Sequence, residues 1–187
     1  MTWIQTYNSH KFFPAEPDHE ENVIDIEDIA HALSMQCRFN GHVRDFYSVA
    51  QHSCHVANQV LKETDDPELA LWGLLHDSAE AYLSDIPKPI KHLLTGYSDL
   101  EEALLNKIIR HFGLTWPQPD IVSKYDLIML RTEQEWLMGP PPDDWGFTGP
   151  EALPIFPGLL KSPEEAEKGF LTMFYLLRNQ IDERSNR

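Results

Sequence analysis

Apolar residues recur every three to four positions along most of the chain, which is the spacing of a helix with one buried face. The first such stretch begins near Asp25, and its apolar members are Ile26, Ile29, Ala30 and Leu33. Further helices are predicted over 48–64, from Asp66-Pro67 to Ile86-Pro87, over 99–112, over 119–137 and over about 163–181. A loose alternation over 3–13 predicts a short β-hairpin. The pattern as a whole predicts an all-α bundle of helices with an N-terminal β-hairpin.

The third predicted helix is nearly apolar on all sides; its large apolar residues are Leu69, Leu71, Trp72, Leu74 and Leu75. A helix of this kind lies in the middle of a bundle. Trp136 in the fifth predicted helix also falls on an expected core face. The segment of about 139–150 is rich in Pro and Gly, and we expect it to be a loop.

A length of 187 residues suits a single domain over 1–187, which can bury a core without disulfides. The cysteines Cys37 and Cys54 have no paired spacing, so no zinc ribbon is encoded. A reduced, cytoplasmic location is the simpler expectation. Since the first residues show no charged segment followed by an apolar run, we expect no signal peptide, and no apolar stretch is long enough to span a bilayer.

The formal net charge of −15 repels duplex nucleic acid and anionic membranes, so we expect neither as a partner. It does not exclude a small molecule that carries phosphate, because a metal ion and a few cations can make one cleft positive inside an acidic shell. We also expect the chain to form a homo-oligomer.

The candidate chemistry lies in three segments: VAQHS (49–53), LLHDSAEAYLSDIPKPIK (74–91) and SKYD (123–126). His76 and Asp77 stand at the end of the most apolar helix, where an imidazole and a carboxylate are costly to bury unless they pair or bind an ion. Glu80 follows within one helical turn and on the same predicted face, where a carboxylate can transfer protons.

His52 lies on the preceding predicted helix, and Asp126 lies on the fifth. Together with His76 and Asp77 they supply two imidazoles and two carboxylates from three helices, which predicts a site for one divalent ion. Mixed nitrogen and oxygen ligands suit a transition metal (Mn, Fe, Co, Ni or Zn) better than Mg or Ca. The sequence does not choose among these metals.

The order His…His-Asp…Asp resembles the signature of the HD-domain superfamily of metal-dependent phosphohydrolases. The extended motif His-Asp-x-x-Glu, followed by Asp85-Ile86-Pro87 and a lysine, looks like that of the bacterial 5′-deoxynucleotidases and their phage relatives. The segment IAHALSMQCRFNGHVRDFYSVAQHS is similar to small phage-type HD hydrolases. Some of those are dATP triphosphohydrolases of phages that replace adenine by 2-aminoadenine. The resemblance covers roughly 26–133 and implies an HD-domain bundle in a bacterial or phage-infected cell.

The resemblance implies a role for each matching residue around the ion. The metal ligands would be His52, His76, Asp77 and Asp126. Glu80 would be the acid/base that takes the proton of the attacking water. Asp85 would form a hydrogen bond with a sugar hydroxyl or with that water.

The resemblance also implies contacts with the substrate. The candidate phosphate ligands are Arg38, Lys88, Lys91 and Lys124. In the deoxynucleotidases an Arg-Trp pair precedes the first ligand histidine and senses the base and sugar. Here the pair reads Arg38-Phe39 with its spacing shifted by one residue, and Phe39 is the candidate for this contact.

Each of these residues also has a structural interpretation. A single histidine on an apolar helix, such as His52, is usually a satisfied core residue, but the later His-Asp-x-x-Glu and Asp126 argue against that here. Asp85 precedes Ile86-Pro87 and fits a helix cap as well as a catalytic group. The basic residues fit surface cations as well as phosphate ligands.

We therefore expect a metal-dependent nucleotide phosphohydrolase that acts on deoxynucleotides, with hydrolysis of dATP to deoxyadenosine and triphosphate favoured. The alternative within this class is a 5′-nucleotidase on deoxynucleoside monophosphates. A non-catalytic HD-fold nucleotide sensor is the alternative of another class, and Glu80 argues against it because a sensor needs no proton transfer. A cyclic-nucleotide phosphodiesterase ranks lower, since His55 is the one additional histidine close to the motifs in sequence.

Overall fold

The computed structural model describes residues 2–146 and 148–186, and these are mostly helical. The helices are α1 (Ile26–Met35), α2 (Val49–Thr64), α3 (Pro67–Leu75), α4 (Glu80–Leu83), α5 (Lys88–Lys91), α6 (Tyr97–His111), α7 (Asp120–Leu137) and α8 (Pro163–Ser185). The strands β1 (Ile4–Gln5) and β2 (Lys11–Phe12) pair antiparallel, and a 3-10 turn at Arg38–Gly41 separates α1 from α2. The predicted all-α fold with a short N-terminal β-hairpin is confirmed.

Polar side chains fix the starts of several helices at the predicted places. Asp25, Ser48 and Asp66 each accept a hydrogen bond from a backbone N–H in the first turn of α1, α2 and α3, respectively. Ser162 and Glu165 form a reciprocal capping box at the start of α8. Each cap satisfies an N–H group that the helix cannot pair and contributes about 1 kcal/mol.

The core lies around α2 and α3, which pack against each other and are covered by α1, α7 and α8. Gly73 allows α3 to approach α2 closely, because a Cβ atom at Gly73 would lie 3.2 Å from the Cα atom of Ala57. The hairpin joins this core through Phe12, which is fully buried and stacks on Tyr82 of α4 at a ring distance of 3.8 Å. The centre of the bundle therefore holds α2 and the end of α3 in fixed relative positions.

The continuous third helix expected up to Ile86 is wrong, since α3 ends at Leu75. The next residues form tight turns, in which the N–H of Ser78 donates to Leu75 O and the N–H of Glu80 donates to Asp77 O. These hydrogen bonds span three residues, as in a 3-10 helix, and α4 begins only at Glu80. His76 and Asp77 therefore lie in the turn that follows α3.

The expected core position of Trp136 is also wrong, because this side chain is 48% exposed. Leu137 takes the buried position of the last turn of α7 instead, four residues after the buried Glu133. One residue of offset on a helix turns a side chain by about 100°, so Trp136 faces outward.

The C-terminal part matches the predicted boundaries closely. The described residues of 139–150 form neither helix nor strand, and Phe147 of this predicted loop lies outside the described residues. Helix α8 runs over Pro163–Ser185, slightly beyond the predicted 163–181. Met1 and Arg187 of the predicted single domain likewise lie outside the described residues. Within the described part of the chain, no helix combines the length and apolar character that a membrane crossing requires.

Candidate metal centre

Side chains from three separate parts of the chain converge on one point. His52 comes from α2, His76 and Asp77 from the turn after α3, and Asp126 from α7. The Nε2 atom of His52 lies 3.3 Å from Nε2 of His76 and 3.2 Å from Oδ1 of Asp126. Oδ2 of Asp77 lies 3.6 Å from Nε2 of His52 and 3.2 Å from Nε2 of His76. The structure thus brings all four predicted ligands together.

These distances suit a shared metal ion. Ligand atoms about 2.1 Å from one ion stand roughly 3.0–3.5 Å apart in tetrahedral or octahedral geometry. Ligand atoms of His52, His76 and Asp126 all lie within 4.8 Å of one another, so this cluster could hold a metal ion. Asp77 lies outside this cluster of mutually close atoms, but its Oδ2 reaches both histidines and places a second carboxylate beside them.

Each imidazole is oriented by a hydrogen bond from its far nitrogen. Nδ1 of His52 lies 2.6 Å from Oε1 of Glu133, and Nδ1 of His76 lies 2.8 Å from the carbonyl oxygen of Gly73. A carbonyl oxygen and a carboxylate can only accept, so both Nδ1 atoms carry the proton. In the neutral rings the two Nε2 lone pairs then face each other and the carboxylate oxygens. A cation between these atoms removes that repulsion, and the donor set therefore fits a metal ion.

The charges of the centre lead to the same conclusion. Burial lowers the pKa of the His76 imidazole, but Asp77 and Asp126 outweigh burial and hold this pKa well above its ordinary value. Burial would raise the pKa of Asp126, but hydrogen bonds with His52 and His76 hold it well below its ordinary value. Burial would also raise the pKa of Asp77, but the neighbouring charges, His76 first, outweigh burial and lower this pKa to about 2. The centre stabilises positive charge at the point where the four side chains meet.

Glu80 lies beside the ligands at the start of α4 and is only 5% exposed. Its Oε1 accepts a hydrogen bond of 3.1 Å from Nζ of Lys91, whereas its Oε2 is buried without a hydrogen-bond partner among the described residues. Burial, and then the charges of Asp77 and Asp85, raise the pKa of Glu80 well above its ordinary value. A carboxyl group with these properties is suited to proton transfer near neutral pH.

Asp85 is half-buried, and burial raises the pKa of its carboxyl group while Arg38 opposes this change. Its backbone N–H donates to Oε1 of Gln36 at 2.9 Å. Helix α5 begins at Lys88 with Pro87 in the cap position and without a side-chain cap. Asp85 therefore does not cap α5, and its role toward substrate stays a prediction.

The predicted phosphate ligands lie in different surroundings. Arg38 is buried; its Nε donates to Oε2 of Glu133 at 2.9 Å, and its Nη1 lies 3.7 Å from Oδ2 of Asp77. Lys91 lies between Oε1 of Glu80 and Oε1 of Glu101, at 3.1 and 2.7 Å. Arg38 and Lys91 thus border the centre through its carboxylates.

The remaining two predicted phosphate ligands are exposed. Lys88 is at the start of α5, and Lys124 pairs with Oε1 of Glu63 at 3.1 Å. Glu63 lies about 16 Å further along α2 than His52. The ammonium group of Lys124 is therefore engaged at the far end of α2 and not beside the ligands.

Phe39 lies in the 3-10 turn next to Arg38. Phe39 and Asn40 have left-handed backbone angles, with φ of 55° and 52°, a conformation that costs a residue other than glycine of order 1 kcal/mol. The Arg38 guanidinium lies 5.5 Å from the centre of the Phe39 ring. The same ring meets Trp145 of the Pro/Gly-rich loop edge-on at 6.3 Å. The turn therefore connects the arginine that borders the centre with the loop at 139–150.

Glu133 was missed by sequence reasoning. It is fully buried and lies two helical turns after Asp126 on the same face of α7. Burial would raise the pKa of its carboxyl group, but Arg38 and His52 outweigh burial and lower it. The available signal was this spacing: an acidic residue in line with a predicted ligand on one helix face.

The fold and the centre define an all-α protein whose partly buried His/Asp cluster could hold a metal ion. The chain is 40% identical to the uncharacterized protein YfdR of Escherichia coli K12 over 134 residues, which cover 72% of this chain and 71% of YfdR. It is 35% identical to an uncharacterized protein of Rhodobacter capsulatus over 127 residues, which cover 62% of this chain and 64% of that protein. No family model matches the chain. The chain belongs to the same family as YfdR.

Proposed function

We propose that this protein is a metal-dependent phosphohydrolase of the HD-domain type that acts on nucleotides. The observation that carries the proposal is the convergence of His52, His76, Asp77 and Asp126, whose facing atoms lie 3.2–3.7 Å apart in five pairs, with both imidazoles oriented toward the common point. Transition metals of the group Mn, Fe, Co, Ni and Zn are the expected ions, because imidazole nitrogen and carboxylate oxygen are combined.

A divalent ion bound there would polarise a phosphoryl oxygen and lower the pKa of the attacking water. Glu80 would take the proton of that water through Oε2, the buried oxygen that the described residues leave unpaired. Lys91 holds the other oxygen of Glu80 and thereby fixes the direction of Oε2. Arg38 would offset negative charge that develops on the phosphoryl group next to Asp77.

The expected substrate is a deoxynucleotide, with dATP and release of triphosphate as the first candidate. This choice is supported by the resemblance of the motifs to the phage dATP triphosphohydrolases. The intact Glu80, buried beside the ligands, supports catalysis over a nucleotide sensor without chemistry.

Hydrolysis of a deoxynucleoside monophosphate is the second candidate. It is favoured by the ion pairs that the basic residues form with carboxylates. Arg38 and Lys91 lie 2.7–3.7 Å from carboxylate oxygens, and Lys124 is paired with Glu63 away from the centre. A triphosphate carries more negative charge than a monophosphate and requires more cations to balance it. Cations that are already paired with carboxylates fit the smaller charge better.

A panel of deoxynucleoside mono- and triphosphates, assayed with Mn²⁺ or Co²⁺ and with the products separated, tests the proposal. Release of triphosphate from dATP supports the first candidate, and release of phosphate from monophosphates alone supports the second. The matched control is His76→Ala, which removes one ligand and should abolish both activities. The proposal fails if no nucleotide is hydrolysed with either metal, or if His76→Ala hydrolyses nucleotides at the wild-type rate.

A further inference from the structure

Glu133 is the meeting point of three hydrogen bonds in the interior of the protein. Its Oε1 lies 2.6 Å from Nδ1 of His52 and accepts a hydrogen bond of 2.9 Å from the hydroxyl of Tyr47. Its Oε2 accepts a hydrogen bond of 2.9 Å from Nε of Arg38. His52 and Glu133 have 0% exposure, so no bulk water competes for these bonds.

The direction of each proton follows from the chemistry of the partners. Tyr47 has a single hydroxyl proton and donates it to Glu133, so Nδ1 of His55, which lies 2.9 Å from the same hydroxyl, must donate to it. Nδ1 of His52 must also donate, because the ionised Glu133 carboxylate only accepts. The hydroxyl proton of Tyr47, the Nδ1 proton of His52 and the Nε proton of Arg38 therefore all point toward the Glu133 carboxylate. The tautomer of His52 that leaves Nε2 free for the centre is fixed by this arrangement.

Glu133 also reaches a second ligand through one intermediate side chain. The Arg38 guanidinium donates from Nε to Glu133, and its Nη1 lies 3.7 Å from Oδ2 of Asp77. Because the guanidinium is rigid and planar, a partner on Nε sets the direction of Nη1. The orientation of His52 and the position of the Asp77 carboxylate thus both depend on the same buried carboxylate.

We propose that Glu133 is the positioning residue of the metal centre: it holds His52 with Nε2 free and, through Arg38, holds Asp77 in place for the ion. This inference rests on the proposed function insofar as that function includes a bound divalent ion. Removal of an outer carboxylate that orients a ligand histidine typically lowers metal affinity about 10–100-fold.

A calorimetric titration of metal-stripped protein with Mn²⁺, which measures the Kd for the ion, tests the proposal. Glu133→Gln keeps the size of the side chain but replaces one accepting oxygen by an NH₂ group, which must face a donor of His52, Tyr47 or Arg38. We expect its Kd for Mn²⁺ to rise about 10–100-fold. Glu135→Gln is the matched control, since Glu135 lies on the same helix, is exposed, and should leave the Kd at the wild-type value.

A ¹⁵N NMR spectrum of the histidines at alkaline pH without metal gives a second readout, the tautomer of His52. This tautomer would stay unchanged in the variant if Glu133 had only a structural role. The wild-type protein should show His52 with its proton on Nδ1, and Glu133→Gln should show a larger share with the proton on Nε2. Where Glu133→Gln does not fold, Glu133→Asp takes its place; it keeps the charge, withdraws the carboxylate, and should still raise the Kd.

The outcomes separate the two proposals. A wild-type protein that binds Mn²⁺, together with a Glu133 variant that binds it as tightly as Glu135→Gln does, overturns the role of Glu133 and leaves the proposed function standing. A wild-type protein that binds no Mn²⁺ overturns the metal centre, and the role of Glu133 with it.

Discussion

Glu80 and Glu133 are both buried glutamates beside the same centre, yet their surroundings give them opposite properties. Both oxygens of Glu133 accept hydrogen bonds, and Arg38 and His52 keep its pKa low against the effect of burial. Glu80 has one oxygen without a partner among the described residues, and burial together with Asp77 and Asp85 raises its pKa. Two carboxyl groups whose pKa values are shifted apart in this way suit different tasks. Glu133 suits fixed charge, and Glu80 suits proton transfer.

The first prediction at this scale concerns Glu80. Glu80→Gln should bind the ion as the wild type does, because Glu80 is not among the four converging ligands, but its kcat should fall about 10²–10⁴-fold because the proton acceptor is lost. Metal analysis and steady-state kinetics on one preparation measure both quantities. Glu102→Gln on the exposed face of α6 is the control. A near-normal kcat in Glu80→Gln would remove Glu80 from the mechanism, and loss of the ion would make it a ligand.

The second prediction concerns His55, which is 6% exposed and donates to Tyr47. Burial lowers the pKa of its imidazole from 6.5 to about 4. Between these values the unfolded chain takes up a proton that the folded chain does not. Above pH 6.5 the burial of neutral His55 therefore has no cost in the free energy of unfolding. As the pH falls from 6.5 toward 4, this free energy decreases by about 3 kcal/mol in total.

Denaturant unfolding at a series of pH values between 7 and 4 measures this effect. His55→Gln should lose about 3 kcal/mol less of its free energy of unfolding over this range than the wild type does. His42→Gln, at an exposed position, should follow the wild type. Equal acid sensitivity of the wild type and His55→Gln would show that burial of this histidine does not control stability.

At the residue scale, short motifs in the sequence predicted candidate ligands, and the structure brings these side chains together. His76, Asp77 and Glu80 lie within one short segment, so a helical turn suffices to relate them. Glu133 and Tyr47 are related to His52 only by the packing of α7 and of the turn before α2. No local pattern encodes that packing. For the same reason, the pairing of Lys124 with Glu63 on another helix could not be read from the chain.

Among the elements, α2, α7 and the turn after α3 supply the centre, and the contact between α2 and α3 sets its dimensions. Gly73 lies at this contact and also provides the carbonyl that orients His76. Helix α7 contributes both Asp126 and Glu133, which follows Asp126 by two helical turns on the same face. Ligand positions therefore depend on how closely these helices approach one another.

The prediction at this scale concerns Gly73. Alanine is the better helix former by about 1 kcal/mol, but a Cβ atom here would lie 3.2 Å from Cα and 3.3 Å from N of Ala57. Backbone atoms cannot move aside cheaply, so α3 must shift away from α2. We expect Gly73→Ala to lower both the Tm and the affinity for Mn²⁺.

The control is Gly169→Ala on α8, where a Cβ atom would lie 3.2 Å from Nζ of Lys161, the far end of a long flexible side chain, and, beyond its own stretch of helix, within 4 Å of no other atom of the described residues. This variant should raise the Tm slightly and leave Mn²⁺ binding unchanged. A Gly73→Ala protein that behaves like Gly169→Ala would show that the close approach of α2 and α3 does not determine the geometry of the centre.

Helix starts were predicted better than the path of the chain between them. Asp25, Ser48, Asp66 and Ser162 are local signals and act as caps in the structure. The end of α3 at Leu75 was not predictable from periodicity, because the following residues keep a helical spacing of apolar side chains. Three-residue turns and α-helical turns differ little over so short a segment.

For the molecule as a whole, the ion would connect segments that are remote in the chain. His52, His76 and Asp126 lie on different elements, and the chain around them carries a formal net charge of −15. An ion that binds the folded state alone stabilises it, by about 2.7 kcal/mol at a free concentration 100 times the Kd. Activity and stability should therefore respond to the same binding event.

A titration of hydrolysis against metal tests the central claim most directly. Metal-stripped protein is supplied with increasing Mn²⁺ while turnover of the best nucleotide substrate is followed. We predict no turnover without the ion, a rise that saturates at one ion per chain, and no rise in Asp126→Ala. Full turnover by stripped protein in the presence of a chelator, or an equal rise in Asp126→Ala, would contradict the account.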